Sequence, residues 1–337
     1  MHRSNITGYD IIGDVHGHAG ALDALLGSLG YVKTDSTWGH RGRQAVFVGD
    51  LIDRGAHQIR TVQLVRSMVD AGTAQMVIGN HEYNAVAFAT EAPVGSGNFL
   101  RQHSDNHVRQ HEAFLSEVEG SELYKEFLDW FCTLPLWIEL SLGDARLRVV
   151  HACWHQKSIE LLRPMLSASG SMTPELVFAT SQKGTPEYDA LEIVLKGPEI
   201  DLDGRIYLDE GGHPRARARQ RWWDHGATTL RQVALIPAGS TTPEGQPFPD
   251  LPDTLIDRSD AYPDDIPVVV GHYWCTGPVE RYSPLVACVD YSVANNGPLV
   301  AYRWNGEREL INDHYVAHHV QHPNPEDNSE QDTDNED

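Results

Sequence analysis

The sequence predicts an α/β protein built from layers of sheet and helix, on three observations. Apolar periodicity alternates between strand and helix across the first 90 residues. Each strong apolar strand in that region ends in Gly followed by Asp or Asn. Strand-like runs then return near the end of the chain, after a long stretch of weak periodicity. Strands alternating with helices at this spacing favour a sheet with helices packed against it.

Taken in order, Tyr9-Asp-Ile-Ile-Gly reads as a short buried strand. Ala21, Leu22, Leu25, Leu26 and Leu29 mark the apolar face of a helix that Gly30 closes. Ala45-Val-Phe-Val-Gly is a second strand, and Val62, Val65, Met68 and Val69 stripe a second helix. Gln75-Met-Val-Ile-Gly is a third strand. Two helical stretches come next, one with Val108, His111, Leu115 and Val118 on a face, the other with Leu123, Phe127, Leu128 and Phe131. Strands resume at 136–140 and 147–151. Thr185 as N-cap, Pro186 in the first turn and Gly197 as stop delimit a further helix. Seven of the 19 prolines fall from Pro237 to Pro267, so 198–265 is expected to hold long ordered loops or a small cap. Strand character returns at 266–270, 285–289 and 299–302. These boundaries give one domain over 8–315, with an insertion or cap region at about 155–265.

Charge and composition narrow the function classes. Lys and Arg number 26 against 48 Asp and Glu, a net charge of −22. Such a chain is a poor partner for bulk nucleic acid, which is bound through clusters of cations that displace counterions. Residues 321–337 carry seven acids and no Lys or Arg. Their scarcity of apolar side chains predicts a disordered acidic tail. No apolar run approaches the roughly 20 residues of a bilayer span. The first residues lack the apolar core of a signal peptide, so the reading is a cytoplasmic protein without a membrane partner. Four cysteines without a CxxC pair read as free thiols.

The chemistry lies at the carboxyl ends of the strands. They end in Gly13-Asp14-Val15-His16-Gly17, in Gly49-Asp50-Leu51-Ile52-Asp53-Arg54-Gly55, in Gly79-Asn80-His81-Glu82, and later in His151 and Gly271-His272. In α/β sheets such strand ends form the ligand crevice. Residues i and i+2 on extended backbone point the same way, so Asp14 and His16 can grip one ion. Oxygen and imidazole ligands without thiolate suit manganese, iron or zinc. A carboxylate such as Asp50 can bridge two ions about 3.5–4 Å apart.

GDVHG, GDLIDRG, GNHE and the two later histidines resemble the calcineurin-like metallophosphoesterases, within them the phosphoprotein phosphatase and diadenosine tetraphosphatase branch. The resemblance implies layered sheets flanked by helices, of αββα type. It implies Asp14, His16 and Asp50 on a first metal, with Asp50, Asn80, His151 and His272 on a second. His81 would be the general acid oriented by Asp53, and Arg54 would clamp phosphate. Arg221 would supply a second phosphate contact, with Arg219, Arg281 and Arg303 as competitors. Many relatives have a further His where this chain has Trp274, and the branch resembled completes that metal with water. His155 is left without a role. His103, His107, His111, His318 and His319 read as surface or packing residues. Trp222 and Trp223 read as core or loop anchors, and Cys153 and Cys275 as packing.

The resulting expectation is a phosphoesterase with two divalent ions, manganese first and iron or zinc as alternatives. It hydrolyses phosphate esters by metal-activated water. A Ser/Thr protein phosphatase-like activity on a phosphorylated protein is placed first, and a dinucleoside polyphosphate hydrolase acting on a nucleotide is the alternative. A non-catalytic metal-binding scaffold is the reading from another class; His81 and Asp53 argue against it, since a structural metal site needs neither.

Overall fold

Apolar residues at successive positions of a strand face opposite sides of the sheet, so a strand apolar throughout must be covered on both faces. The computed structural model, which describes residues 6–34, 37–209, 212–258, 262 and 265–319, obeys that rule in its two main sheets. β1 (Gly8–Ile12) runs into α1 (Ala19–Ser28), and the hairpin of β2 (Val32–Lys33) and β3 (Trp38–Gly39) returns the chain to β4 (Arg43–Phe47). α2 (Gln58–Asp70), β5 (Ala74–Met76) and α3 (Asn80–Ala89) complete the alternation. α4 (Asp105–Gln110), α5 (Glu112–Val118) and α6 (Glu122–Phe131) precede the hairpin of β6 (Trp137–Leu142) and β7 (Ala145–Val150). The expected helical face from Val108 to Val118 is thus two short helices, broken at His111.

Next come α7 (Gln156–Leu162), α8 (Pro174–Thr180) and α9 (Pro186–Lys196). Thr185 caps α9 by accepting the Tyr188 N–H at 3.2 Å, and Gly197 ends it with a φ of 80°. The chain continues through the short strands β8 (Glu199–Asp201), β9 (Tyr207–Leu208), β10 (Pro214–Arg215) and β11 (Arg217–Gln220), then α10 (Leu230–Val233) and β12 (Ala234–Leu235). β13 (Val268–Val270), β14 (Val286–Cys288), β15 (Pro298–Trp304) and β16 (Tyr315–His319) finish the chain's described elements.

One main sheet has the order β16-β15-β1-β4-β5, the other β14-β13-β7-β6. β1, β4 and β5 are parallel, with Ile11 opposite Val46 and Val46 opposite Gln75, while β15 pairs with β1 antiparallel. β7, β13 and β14 are likewise parallel, with Val149 opposite Val269 and Val269 opposite Ala287. Tyr9, Ile11, Val46, Val48, Val149, Val269, Ala287 and Tyr302 form a core between the two sheets. Their alternate neighbours Ile12, Ala45, Phe47, Val150, Val268, Val270 and Cys288 pack outward under the helices. The result is helix, sheet, sheet, helix. Helices α7–α9 rest on the outer core, while β8, β11 and β12 cover a small separate one around Leu202, Ala218, Leu230 and Leu251. Residues 321–337, expected to be a disordered tail, lie outside the described residues.

Because β1, β4 and β5 run parallel, and β7, β13 and β14 do too, their carboxyl ends gather at one edge of the sandwich. Among the described residues no helix is long and apolar enough to cross a membrane.

Candidate metal centre

Three loops leaving β1, β4 and β5 are tied together before any side chain is considered. The backbone N–H groups of Val15 and His16 both donate to the Asp50 carbonyl, at 3.0 and 2.9 Å, and Gly55 N–H donates to the His16 carbonyl at 3.0 Å. Glu82 then knots the remaining ends. Its Oε2 accepts the N–H groups of Asp50 and Gly79, at 2.9 and 3.0 Å, and its Oε1 accepts Leu51 N–H at 2.7 Å. Glycine is needed where these loops crowd. A Cβ on Gly79 would lie 2.2 Å from Asp50 Oδ1, and one on Gly271 would lie 2.1 Å from Asp14 Oδ1.

The knot aims Asp50 into the middle of the site. Its Oδ1 accepts His81 N–H at 2.9 Å. Its Oδ2 faces three imidazoles, with Nε2 of His16, His81 and His151 at 3.8, 3.9 and 3.4 Å. Asn80 Oδ1 lies 3.2 Å from His151 Nε2. His272, at the end of β13, donates its backbone N–H to Asp14 Oδ2 at 3.1 Å. Two sets of potential ligand atoms share Asp50, one with His16 and His81 and the other with His151 and His272, each within 4.8 Å. Asp14, His16, Asp50, Asn80, His151 and His272 are thus brought together at the strand ends.

Both buried histidines at strand ends are oriented from behind. His16 Nδ1–H donates to the Ile52 carbonyl at 2.7 Å, and His151 Nδ1–H to the Val48 carbonyl at 2.8 Å. Each Nε2 therefore turns its lone pair inward, the orientation metal-bound imidazole requires. Among the described residues, His16 Nε2 is buried without a hydrogen-bond partner. Burial, with His81 nearby, holds the His16 pKa at about 3, so its ring is neutral. Burial, then Arg219 and His151, keep His272 well below the usual range.

Negative charge is concentrated around the same point. Asp14, Asp50, Glu82 and Asp290 are all buried. Burial, then the neighbouring Asp290 and Asp50, push Asp14 far above an ordinary carboxyl, and burial with Asp50 brings Glu82 up to about 7. Asp50 goes the other way: burial raises it, but His151, His81 and His16 outweigh that and hold it low. Buried carboxylates need compensation by cations. The inward lone pairs and this charge fit a pair of divalent ions.

Asp53 stands beside the ligand cluster and binds two histidines at once. His81 Nδ1–H donates to its Oδ2 at 2.5 Å, and His111 Nδ1–H to its Oδ1 at 2.9 Å. Burial raises the Asp53 carboxyl, yet the bonds from His111 and His81 outweigh it and hold it at about 2. His81 moves upward; burial opposes this, but Asp50 and Asp53 prevail. His111 is buried rather than at the surface, and besides packing it hydrogen-bonds Asp53, 58 positions away in sequence. Asp290 was missed as well. It comes after β14 as Asp14 comes after β1, and its Oδ2 accepts Trp274 N–H at 2.8 Å.

Arg54 is exposed beside the cluster, its guanidinium 4.2 Å from the Trp274 ring centre. Arg221 is not brought to the centre. Its guanidinium donates to the Gln232 carbonyl, and it lines a separate depression with Arg231, Phe248 and Leu251. Arg219, on β11, is the arginine of that run near enough to depress His272; it also pairs with Glu199. Arg303 is held on Asp10, and Arg281 on the Leu310 carbonyl. His155 caps α7, its ring accepting Ser158 N–H at 3.3 Å. Trp222 and Trp223 are buried, with Trp222 donating to the Tyr273 hydroxyl at 2.8 Å.

A double sheet whose parallel strand ends collect histidines and buried carboxylates around one central aspartate is the architecture of a metallophosphoesterase. Residues 9–165 match the family described as calcineurin-like phosphoesterase. The chain is 34% identical over 145 residues to the asymmetrical bis(5'-nucleosyl)-tetraphosphatase PrpE of Halalkalibacterium halodurans, covering 43% of this chain and 56% of the relative. The corresponding protein of Anoxybacillus flavithermus is 43% identical over 145 residues, with the same 43% and 56% coverage. The chain thus spans about half the length of the curated relatives it matches. A Saccharomyces cerevisiae serine/threonine phosphatase with similarity to human PP5 shares the fold, with a TM-score of 0.50 at 13% identity over 95% of this chain and 82% of that one.

Proposed function

We propose that the chain is a dinuclear-metal phosphoesterase whose substrates are dinucleoside polyphosphates. The observation that carries the metal-dependent part is the single Asp50 oxygen facing three imidazoles, beside the unpartnered Nε2 of His16. Asp14, His16 and Asp50 would hold one ion, and Asp50, Asn80, His151 and His272 the other. Bound there, two divalent ions supply Lewis acidity and bring the pKa of water from about 16 toward 7. Manganese is the first choice for this oxygen and nitrogen donor set.

The chain's own groups do the rest. His81, fixed by Asp53 through Nδ1, presents its Nε2 proton to the departing oxygen. Its bond to the Asp53 carboxylate favours the protonated ring. Arg54 neutralises charge on the transferring phosphoryl group.

The choice of substrate reverses the order given by sequence alone, in which a Ser/Thr protein phosphatase came first. What supports the nucleotide reading is the naming of the relatives as bis(5'-nucleosyl)-tetraphosphatases. The test compares kcat/KM for diadenosine tetraphosphate and for a phosphoserine peptide in manganese. A higher value for the dinucleotide is expected; a higher value for the peptide overturns the substrate assignment.

A further inference from the structure

Trp274 lies in the loop after β13 and outside the buried core. The ring lies two residues beyond His272, with 41% of its surface in solvent, whereas Trp222 and Trp223 are only 3% and 5% exposed. Its φ is +47°, a region that bulky side chains avoid and glycine enters freely. The strained backbone is held by the buried Asp290, which accepts Trp274 N–H through Oδ2 while its Oδ1 accepts Ser292 N–H at 3.0 Å. Strain kept by a buried anchor is characteristic of functional positions.

The neighbours of the ring indicate what it faces. The Arg54 guanidinium lies 4.2 Å from its centre. Arg54 belongs to the loop of Asp50 and Trp274 to that of His272, so the pair joins the two sides of the metal centre. An aromatic surface and a phosphate-type cation stand in contact, and a nucleotide offers a flat base and a phosphate chain to match them. Aromatic rings hold bases by stacking regardless of base identity, because every base has a π-face.

We propose that Trp274 is the stacking platform for a nucleobase of the substrate, at the rim where Arg54 takes the phosphate chain. This rests on the nucleotide reading of the site and adds a residue that would select nucleotides over other phosphoesters.

The test uses titration calorimetry on the full chain loaded with manganese, with AMP and ribose 5-phosphate as ligands. These share a phosphate and differ by the base. The wild type is expected to bind AMP about 5- to 150-fold more tightly, the range that one stacked base contributes. Trp274→Gly, which suits the positive φ, should bring the two dissociation constants within about twofold, and Trp274→Phe should retain part of the difference. Three results overturn the proposal: no measurable AMP binding by the wild type, no preference for AMP, or equal weakening of both ligands in Trp274→Gly. The last would mean that the ring acts only by holding Arg54. Hydrolysis of diadenosine tetraphosphate is measured separately. If it is absent while the AMP preference depends on Trp274, the substrate reading fails and the platform stands; if it is present while the preference ignores Trp274, the platform alone fails.

Discussion

Asp53 and His111 are joined by a 2.9 Å hydrogen bond inside the protein, on the side of the carboxylate that His81 leaves free. His111 sits at the break between α4 and α5, packed against Phe88 and Phe114, and its Nε2 has no partner among the described residues. α5 braces the same loop a second time. Glu117 accepts the N–H groups of Gln58 and Ile59, while Gln58 accepts Asp53 N–H.

His111 is therefore predicted to position Asp53, and through it the imidazole of His81. His111→Phe should lower kcat for an alkyl phosphate about tenfold, near the lower end of what a hydrogen bond to a charged group contributes. His111→Asn restores a donor and should recover part of the loss. Steady-state kinetics on both variants decide it: equal rates for Phe and Asn would leave His111 a packing residue.

His81→Ala should reduce kcat by about 10²–10⁴, the usual contribution of general acid catalysis. A good leaving group scarcely needs a proton, so para-nitrophenyl phosphate should be affected less than an alkyl ester. Metal content should stay intact. Equal slowing of both substrates would show that His81 is not the acid.

Asp50→Asn should empty both metal positions, since one oxygen faces the ligands of each. Elemental analysis of the purified variant checks this, and a retained full complement would refute the bridging role. In the wild type, manganese at 100 times its dissociation constant should add about 2.7 kcal/mol of stability through linkage for each of the two sites. Thermal unfolding with and without chelator measures it, and an unchanged melting temperature would contradict the fit.

Asp10 offers a test of stability away from the site. It is fully buried on β1, where Arg43 Nε reaches both of its oxygens, at 2.9 and 3.0 Å, and Arg303 Nε reaches Oδ1 at 3.0 Å. Asp10→Ala leaves these guanidinium groups without their carboxylate and should cost about 3 kcal/mol, as expected for breaking a buried ion pair. Urea unfolding gives the value; a loss below about 1 kcal/mol would mean that solvent reaches Arg303 easily enough to replace Asp10.

What was legible in the sequence was local. Tyr9 to Gly13 and Ala45 to Gly49 announce strands, and the residues after them announce the candidate ligands, because alternation and an adjoining turn depend on near neighbours. The Asp290 signal was of the same kind, an acid directly after the apolar run ending at Val289, and the same rule would have found it. His111 had no such signal. On a face with Val108, Leu115 and Val118 it reads as packing, and only the folded chain brings it to Asp53. Arg219 and Arg221 differ in role because β11 ends at Gln220, which turns Arg221 toward the Gln232 backbone. Order along the chain carries no trace of that turn.

His16, Asp50, Asp53, Arg54 and His272 all adopt positive φ, at 44°, 51°, 69°, 72° and 70°. Glycine would relax every one of these positions and remove the group that the site uses. The chain keeps these strained residues for the bonds and charges they bring, as where Asp53 accepts from both His81 and His111. The same five dihedrals give a designer a practical rule: graft this loop set with its backbone supports, Glu82 included, because the side chains by themselves would not hold the twist that aims them.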